Sequence, residues 1–242
     1  MTFFFCKWYF KEKGCIFKKE FTIDLRSGMS EKWLWLPDWA SDLSLWEDDL
    51  IDVFPDGDHQ FVSYEQMTSS LDDINKIKGF AEASHVVAWG MGAFVLLKNA
   101  AKRPRNQAWT LLSPFTDFCS EENNWNSQNL MFIANQTKTS VDPFLNAFTE
   151  FFEDEFGDWV DEWKSSAKRM SPKALGEGLS YLAQNRIDQV ICTDGFAETK
   201  VLYGRMDQAV KPSMTQKLKE FLPGVEFKER PKAGHWPPML LF

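Results

Sequence analysis

The stretch His85-Val86-Val87-Ala88-Trp89-Gly90-Met91-Gly92-Ala93-Phe94-Val95 decides the architecture of this chain. It opens with an apolar run of residues that favour β-strands and passes through a cluster of very small residues around Gly90. An apolar pattern with helical spacing follows over residues 93–101. We therefore predict a buried strand over residues 85–90, a sharp turn at the small residues, and a helix.

Strands and helices alternate on both sides of this stretch. The periodicity predicts further strands over residues 33–36, 60–64, 108–112, 199–204 and 225–229, and further helices over residues 67–83 and 213–222. Residues 37–46 form a loop and a helix start, with Ser41 or Ser44 as the cap. Such alternation is typical of an α/β fold with a mostly parallel central sheet and helices on both faces.

The strand pattern stops between about residues 121 and 185, where only helical periodicity remains. The apolar positions at spacings of three and four are Phe148, Phe151, Phe152, Phe156, Trp159, Val160 and Trp163. The acidic residues among them are those of a solvated helix face. We therefore divide the chain into an α/β core, residues 1–118 and 187–242, and an inserted helical cap, residues 119–186.

The first 28 residues are ambiguous. Two β-rich runs within residues 3–24 flank Lys11-Glu12-Lys13-Gly14, which predicts a hairpin with a glycine-bearing turn. Met29, however, would serve as a normal start of the chain. Residues 1–28 are therefore either an ordered N-terminal hairpin or an extension with little structural role.

Composition narrows the classes of function. A hydrophobic content of 44% and an aromatic content of 15% describe a folded globular protein. The formal net charge of -8 argues against a nucleic-acid partner, because neutralising phosphates requires basic patches. The apolar run at residues 3–5 is too short to cross a bilayer and lacks a cleavage site, so we expect no membrane partner.

Cysteine and histidine usage points to no metal and no cofactor. The four cysteines are Cys6, Cys15, Cys119 and Cys192. They show no paired spacing, which predicts free thiols and a cytoplasmic location. Neither His59 nor His85 has a second ligand at a metal-binding spacing.

Two further segments place reactive side chains after predicted strands. Residues 202–207, Leu-Tyr-Gly-Arg-Met-Asp, end a strand with a glycine turn and the acid Asp207. Residues 234–238, Gly-His-Trp-Pro-Pro, put His235 in a sharp loop after the last strand. Each signal alone is unremarkable, because such residues are common in surface turns. Together with the turn at Gly90 they match the chain order of a nucleophile, an acid and a histidine base.

On these segments the chain resembles the α/β-hydrolase superfamily from about residue 33 onward. It is closest in pattern to the helical-capped carboxylesterases that cleave pimeloyl-acyl-carrier-protein methyl ester in biotin biosynthesis. Their Gly-Trp-Ser-(Leu/Met)-Gly-Gly nucleophile elbow corresponds to residues 88–93, and their Gly-Trp oxyanion loop to residues 36–40. Their Tyr-Gly-x-x-Asp and Gly-His-x-Pro motifs correspond to residues 203–207 and 234–237.

This resemblance implies a role for each candidate site residue. Gly90 stands at the nucleophile position, Asp207 is the acid that orients the base, and His235 is the base. The backbone amides of Trp39 and Met91 are the implied oxyanion donors. The implied activity is carboxylic ester hydrolysis, with a small acyl ester or an acyl carrier protein as the partner.

Two residues depart from the family pattern. Gly90 replaces the expected serine; without the hydroxyl no acyl-enzyme forms, and such a loss costs roughly a million-fold in turnover. Glycine would also adopt the strained elbow conformation without its cost of about 1–3 kcal/mol. Asp38 stands where the resemblance leads us to expect glycine, and its carboxylate would oppose a developing oxyanion unless it turns to solvent.

Several functional alternatives remain open. The first is a carboxylesterase that is impaired or inactive; the second is a non-catalytic pseudoenzyme, a pseudo-hydrolase that binds an acyl or aromatic small molecule; the third is a scaffolding role. Ser113 and Cys119 are alternative nucleophiles, and Asp207 with His235 could activate water directly. A basic patch for an acidic carrier protein would comprise Lys164, Lys168, Arg169 and Lys173, which are otherwise ordinary solvated side chains.

Overall fold

The computed structural model describes residues 7–12, 15–20, 30–123, 125–137, 139–150 and 153–242. The chain divides into two compact units, Met1–Ser30 and Glu31–Phe242. In the smaller unit, strand β1 (Lys7–Glu12) pairs antiparallel with β2 (Cys15–Glu20). This pairing agrees with the predicted hairpin, whose turn residues 13 and 14 lie outside the described residues.

The larger unit is built on a six-stranded sheet in which every pairing is parallel. Its strands are β3 (Glu31–Leu36), β4 (Gly57–Phe61), β5 (His85–Trp89), β6 (Ala108–Leu112), β7 (Thr199–Gly204) and β8 (Glu226–Arg230). Their order across the sheet is β4-β3-β5-β6-β7-β8. The predicted α/β fold with a parallel central sheet is therefore confirmed.

Burial explains why the central strands read as continuous apolar runs. In β5, the four residues after His85 are all buried, because helices cover both faces of the sheet at its centre. The edge strands β4 and β8 are only partly buried and carry polar residues such as Asp58 and Lys228. An exposed edge with charged side chains discourages pairing with other chains.

Ten α-helices surround the sheet within the described residues. They are α1 (Glu47–Asp52), α2 (Tyr64–Thr68), α3 (Met91–Lys98), α4 (Ser127–Gln136), α5 (Asp142–Thr149), α6 (Glu153–Phe156), α7 (Trp159–Arg169), α8 (Pro172–Gln184), α9 (Pro212–Lys217) and α10 (Pro237–Leu241). Helices α4 to α8 lie between β6 and β7 in the chain, within the insertion that the sequence predicts.

The long helix predicted over residues 67–83 is wrong. Helix α2 ends at Thr68, and the hydroxyl of Ser70 donates to the carbonyl oxygen of Gln66 at 2.8 Å. A separate 3₁₀ turn, Ile74–Lys76, is capped by the side chain of Asp73. The apolar residues in this segment, Ile74, Ile77 and Phe80, are nevertheless buried. Their spacing therefore reflects burial of a folded loop against the core.

The single aromatic stripe predicted over residues 148–163 is also divided. It runs over α5, α6 and α7, and Gly157 separates the last two with a φ of 53°. Phe151 and Phe152 lie outside the described residues. The apolar positions that are described still point inward, because Phe148, Phe156 and Trp163 are buried.

Element boundaries differ from the prediction at several other places. Helix α3 runs over Met91–Lys98, whereas the helix was predicted over residues 93–101. The cap near residue 43 is Asp42, whose carboxylate accepts from the Ser44 amide at 3.0 Å, so neither Ser41 nor Ser44 fills that role. Strand β4 begins at Gly57, three residues before the predicted strand, and Tyr64 begins helix α2 instead of ending a strand. Helix α9 is shorter than predicted and continues as a 3₁₀ turn, Leu218–Glu220.

Two tryptophans connect the inserted helices to the loop after β3. The indole nitrogen of Trp39 donates to the carbonyl oxygen of Leu175 in α8 at 3.1 Å. The indole nitrogen of Trp163 in α7 donates to the hydroxyl of Ser41 at 3.0 Å. The loop after β3 is thus held between the sheet and the inserted helices. Among the described helices, none is long and apolar enough to cross a membrane.

Candidate functional site

Gly90 occupies the sharp turn between β5 and α3. Its backbone has a φ of 50° and a ψ of -112°, a conformation that residues with a side chain rarely adopt. Its amide donates to Leu112 at 2.9 Å and its carbonyl accepts from Phe94 at 3.1 Å, so the turn joins the strand ladder to the helix. The predicted strand-turn-helix geometry is confirmed at this position.

Gly92 is required by the packing behind that turn. A Cβ added there would lie 2.6 Å from the carbonyl oxygen of Pro37 and 2.8 Å from that of Leu36. Both distances are shorter than real Cβ contacts allow. The first turn of α3 therefore sits directly against the end of β3, and this brings the loop after β3 to the turn at Gly90.

The carboxylate of Asp38 fills the space beside Gly90. A Cβ built on Gly90 would overlap the carboxyl carbon and both carboxyl oxygens of Asp38. The Asp38 Oδ1 atom accepts from the backbone amide of Met91 at 2.5 Å. One side chain thus occupies both the volume in which a nucleophile would stand and one of the two implied oxyanion donors.

Asp207 and His235 come together as the sequence predicts. His235 Nδ1 lies 2.8 Å from Asp207 Oδ2, and both side chains are buried. Asp207 Oδ1 accepts from the amides of Ala209 and Val210 at 3.0 and 2.8 Å. Its Oδ2 also accepts from the hydroxyl of Ser113 at 2.7 Å. The carboxylate is therefore held in one orientation by the turn after β7 and by the end of β6.

The other face of His235 meets Asp38. His235 Nε2 lies 2.8 Å from Asp38 Oδ2, so the imidazole bridges two carboxylates that come from opposite ends of the chain. Burial alone would lower the pKa of His235, but the charges and hydrogen bonds of Asp207 and Asp38 outweigh it and raise the pKa to about 10. His235 is therefore an imidazolium ion at neutral pH, with both ring nitrogens donating.

A carboxylate from the inserted helices holds the loop that carries the histidine. Glu155 in α6 accepts from the amides of Gly234 and His235 at 2.7 and 2.6 Å. On the opposite side, the indole nitrogen of Trp89 donates to the carbonyl oxygen of His235 at 3.0 Å. The short distances are those of charge-assisted hydrogen bonds. Glu155 was not singled out by sequence reasoning, because nothing in an acidic helical run distinguishes one inward carboxylate.

The loop after β3 is a tight turn with one residue in the left-handed region. Ala40 has a φ of 53°, and the amide of Ser41 donates back to the carbonyl oxygen of Asp38 at 3.2 Å. The amide of Trp39, the second implied oxyanion donor, has no acceptor among the described residues. The Met91 amide, in contrast, is engaged by Asp38.

A small aromatic cavity borders the histidine and Asp38. Its aromatic lining comprises Trp39, Trp89, Phe118, Phe148, Phe156 and Trp163. The cavity has a volume of about 20 Å³, which is enough for one water molecule. A larger ligand requires the inserted helices to move away from the core.

The two alternative nucleophiles do not have the geometry of one. The hydroxyl of Ser113 donates to Asp207, so this residue supports the acid. Burial, with a contribution from Asp117, raises the pKa of the Cys119 thiol to about 11, so it carries its proton at neutral pH. Neither residue lies within hydrogen-bond distance of His235 among the described contacts.

The position of the Asp38 side chain was not predicted from the sequence. Two directions were expected for its carboxylate: close to a developing oxyanion, which it would oppose, or toward solvent. The side chain takes the oxyanion donor and the histidine for itself and is 19% exposed. The sequence did contain a signal for this contact: a glycine at the elbow together with an acid in the oxyanion loop.

Comparison with known proteins identifies the fold. No protein-family model matches the sequence, and no curated protein matches it significantly. Among solved structures, the chain is similar to a thermophilic esterase from Thermogutta terrifontis, with a TM-score of 0.69, 16% identity, and coverage of 88% of this chain and 86% of that chain. It is also similar to an esterase from Exiguobacterium antarcticum, with a TM-score of 0.68, 15% identity and 86% coverage of both chains.

A third solved structure shows how widely this fold is used. An epoxide hydrolase from Bacillus megaterium, complexed with its product, has a TM-score of 0.61 and 14% identity, and the match covers 86% of this chain and 88% of that chain. The larger unit therefore has the α/β-hydrolase fold. At these identities the likeness establishes the fold alone, and activity must be argued from the site.

Proposed function

We propose that this protein is a pseudo-hydrolase of carboxylesterase type that no longer cleaves esters through an acyl-enzyme at residue 90. One observation carries the proposal: the Asp38 carboxylate occupies the nucleophile's space, the Met91 amide and the Nε2 atom of His235 together. Each of these three positions is needed in serine ester hydrolysis.

The first consequence concerns the base. A histidine can remove a proton from a nucleophile only when it is neutral. His235 is paired with two carboxylates that raise its pKa to about 10, so it holds its proton throughout the neutral range. The base is thus unavailable even to a water molecule in the adjacent cavity.

The second consequence concerns the oxyanion. A tetrahedral intermediate from an ester needs backbone donors aimed at the developing charge, and removing one such donor costs about 10²–10³ in turnover. The Met91 amide already donates to Asp38, and the negative charge of that carboxylate would repel a second anion.

The proposal is tested with p-nitrophenyl acetate, whose acyl group is small enough for a tight cavity. We expect the native protein to release p-nitrophenol without a burst and no faster than the matched His235→Gln variant. A burst, together with an acetylated peptide identified by mass spectrometry, would show that an acyl-enzyme forms and would overturn the proposal.

Binding of an apolar small molecule is the second candidate. The aromatic cavity lining favours it, but the cavity must open to accept more than one water molecule. Saturable quenching of tryptophan fluorescence by methyl decanoate, abolished in a Trp163→Arg variant that still folds, would support binding beneath the inserted helices. A linear, unsaturable response would exclude it.

An acyl carrier protein as the partner, a role in biotin biosynthesis and a cytoplasmic location all stay predictions. Two of the four basic candidates already contact acids: Lys168 lies 2.8 Å from Asp142, and Lys173 lies 3.7 Å from Glu177. An Arg169→Glu variant should weaken binding to an acidic carrier protein if the patch is used. Unchanged binding would remove this surface from consideration.

A further inference from the structure

We propose that the cleft at the C-terminal end of α3 binds a small apolar molecule with a carboxylate head group, of the medium-chain fatty acid type. This cleft lies between the end of α3, the 3₁₀ turn Ala100–Lys102 and the loop of residues 185–198. It shares no lining residue with the cavity beside His235. The proposal therefore goes beyond the proposed function and does not depend on it.

The size of the cleft suits such a ligand. Its volume is about 420 Å³, within the range of about 300–1,000 Å³ that is usual for small-molecule sites. The cavity beside His235, in contrast, holds a single water molecule. A fatty acid can therefore enter the cleft without any movement of the inserted helices.

One wall of the cleft is a long loop with fixed anchor points. Residues 185–198 connect α8 to β7 without a helix or a strand. The amide of Ile187 donates to the carbonyl oxygen of Thr116, and that of Ile191 donates to Phe221, both at 2.8 Å. Loops of this length are uncommon in compact domains and are usually either functional or disordered. The anchoring hydrogen bonds hold the loop in one place, which leaves function as the reason for its length.

The lining of the cleft offers apolar surface to a ligand. Val190 lies in the wall and is 65% exposed, whereas Ile187, three residues earlier in the same loop, is buried. An apolar chain in the cleft would remove the Val190 side chain from water, which is favourable in proportion to the area covered. The apolar lining includes Leu97, Ala100, Ile187, Val190, Ile191 and Phe196.

Lys98 favours a negatively charged head group on that ligand. Its ammonium group donates to the carbonyl oxygen of Arg186 at 3.0 Å, and no carboxylate of the described residues lies within ion-pair distance of it. An ammonium group has three donors, so two remain for a ligand. Asp188, the acid in the lining, already lies 3.9 Å from the guanidinium of Arg186. A carboxylate beside Lys98 would therefore meet an unpaired positive charge.

Calorimetric titration of the native protein with octanoate and decanoate, below their micelle concentrations, tests the proposal. We expect saturable binding of one molecule, and binding should tighten about fourfold for each methylene that enters the cleft. Octanamide, which has the same chain and an uncharged head group, should bind more weakly than octanoate. An unsaturable response, or equal affinities for octanamide and octanoate, would overturn the proposal.

Cys192 reports whether the ligand occupies the cleft. Its side chain belongs to the lining and is exposed, so a bound ligand should slow its alkylation by iodoacetamide, followed for each peptide by mass spectrometry. Cys119 does not line the cleft, so its alkylation rate should not depend on the ligand. Saturable binding that leaves the alkylation rate of Cys192 unchanged would place the ligand elsewhere and refute the assignment.

Two variants and a matched control test the individual contacts. Lys98→Gln should weaken octanoate binding about two- to fivefold, as expected for an exposed ion pair, and leave octanamide binding unchanged. Lys102→Gln is the control, because Lys102 does not line the cleft and its ammonium group lies 2.8 Å from Asp73. Val190→Glu should weaken octanoate binding at least roughly tenfold, since it adds a like charge beside the ligand. Native affinity in the folded Lys98→Gln and Val190→Glu variants would show that the cleft is not the binding site.

Discussion

Restoring serine at residue 90 should produce an esterase only if Asp38 is removed as well. In the Gly90→Ser variant, the new Cβ would overlap the Asp38 carboxyl group, and the backbone at a φ of 50° would add strain of about 1–3 kcal/mol. Displacing Asp38 would cost its hydrogen bonds to the Met91 amide and to His235, and hydrogen bonds to charged groups contribute about 1.5–3 kcal/mol each. We therefore expect the new serine side chain, and not Asp38, to be forced out of its reactive position, which leaves the single variant less stable and inactive.

The double variant Gly90→Ser/Asp38→Gly keeps the backbone strain at residue 90 but removes the obstacles that Asp38 creates. It clears the space beside residue 90, frees the Met91 amide, and removes one of the two carboxylates that raise the pKa of His235. A serine nucleophile is worth roughly a million-fold in turnover, so recovery of even a small part of it means at least roughly a thousandfold gain over either single variant.

The assay is p-nitrophenyl acetate hydrolysis by the native protein, both single variants and the double variant. Adding His235→Gln to the double variant is the matched control and should abolish the gain. Thermal unfolding of each variant separates loss of activity from loss of fold. If Gly90→Ser alone is as active as the double variant, Asp38 does not block the site. If the folded double variant stays inactive, the roles given to Asp207, His235 and Met91 are wrong.

Four further predictions follow from individual contacts. The pKa of His235 is raised from 6.5 to about 10, so its ion pairs contribute stability that is fully present below pH 6.5 and is lost as pH rises through about 10. The free energy of unfolding, measured with denaturant across this pH range, should therefore decline. A value that stays constant across the range would contradict the prediction. Asp38→Asn should lower that pKa, and an NMR titration of the imidazole that shows no change would argue against the contact. Glu155→Gln weakens two charge-assisted hydrogen bonds to the loop of Gly234 and His235, so it should lower the free energy of unfolding by about 1–3 kcal/mol. A change within error of zero would mean that these hydrogen bonds do not form in solution. Gly92→Ala should cost a similar amount, about 1–3 kcal/mol, because its Cβ would press on the carbonyl oxygens at the end of β3; a fully tolerated alanine would contradict that close approach.

Much of the fold could be predicted from local pattern. The strands predicted over residues 85–90, 108–112 and 199–204 were correct to within one residue, because buried strands in a parallel sheet are continuous apolar runs with clear ends. The helix predicted over residues 67–83 failed because the same apolar spacing arises when a loop with capping serines and aspartates is buried against the core. Periodicity reports which residues are buried, and the local hydrogen bonds decide how the backbone reaches them.

The acid and the histidine of the site could also be predicted from the sequence. The order of an elbow, Asp207 and His235 along the chain matched a known pattern, which predicted that the acid and the histidine meet; they lie 2.8 Å apart. The hydrogen bonds from Glu155 to the histidine loop could not be predicted, because they depend on where a short helix of the insertion lies relative to a loop about 80 residues further along the chain.

By itself, the sequence determined the parallel α/β sheet, the pairing of Asp207 with His235, and the absence of a hydroxyl at Gly90. Tertiary structure alone decided what fills the space that Gly90 leaves. Asp38 contacts an amide 53 residues away and an imidazole 197 residues away, and no local pattern encodes the direction of its side chain. That direction follows from close packing of α3 on the end of β3, which turns the loop after β3 inward, and from the charge of a buried histidine that favours a second carboxylate.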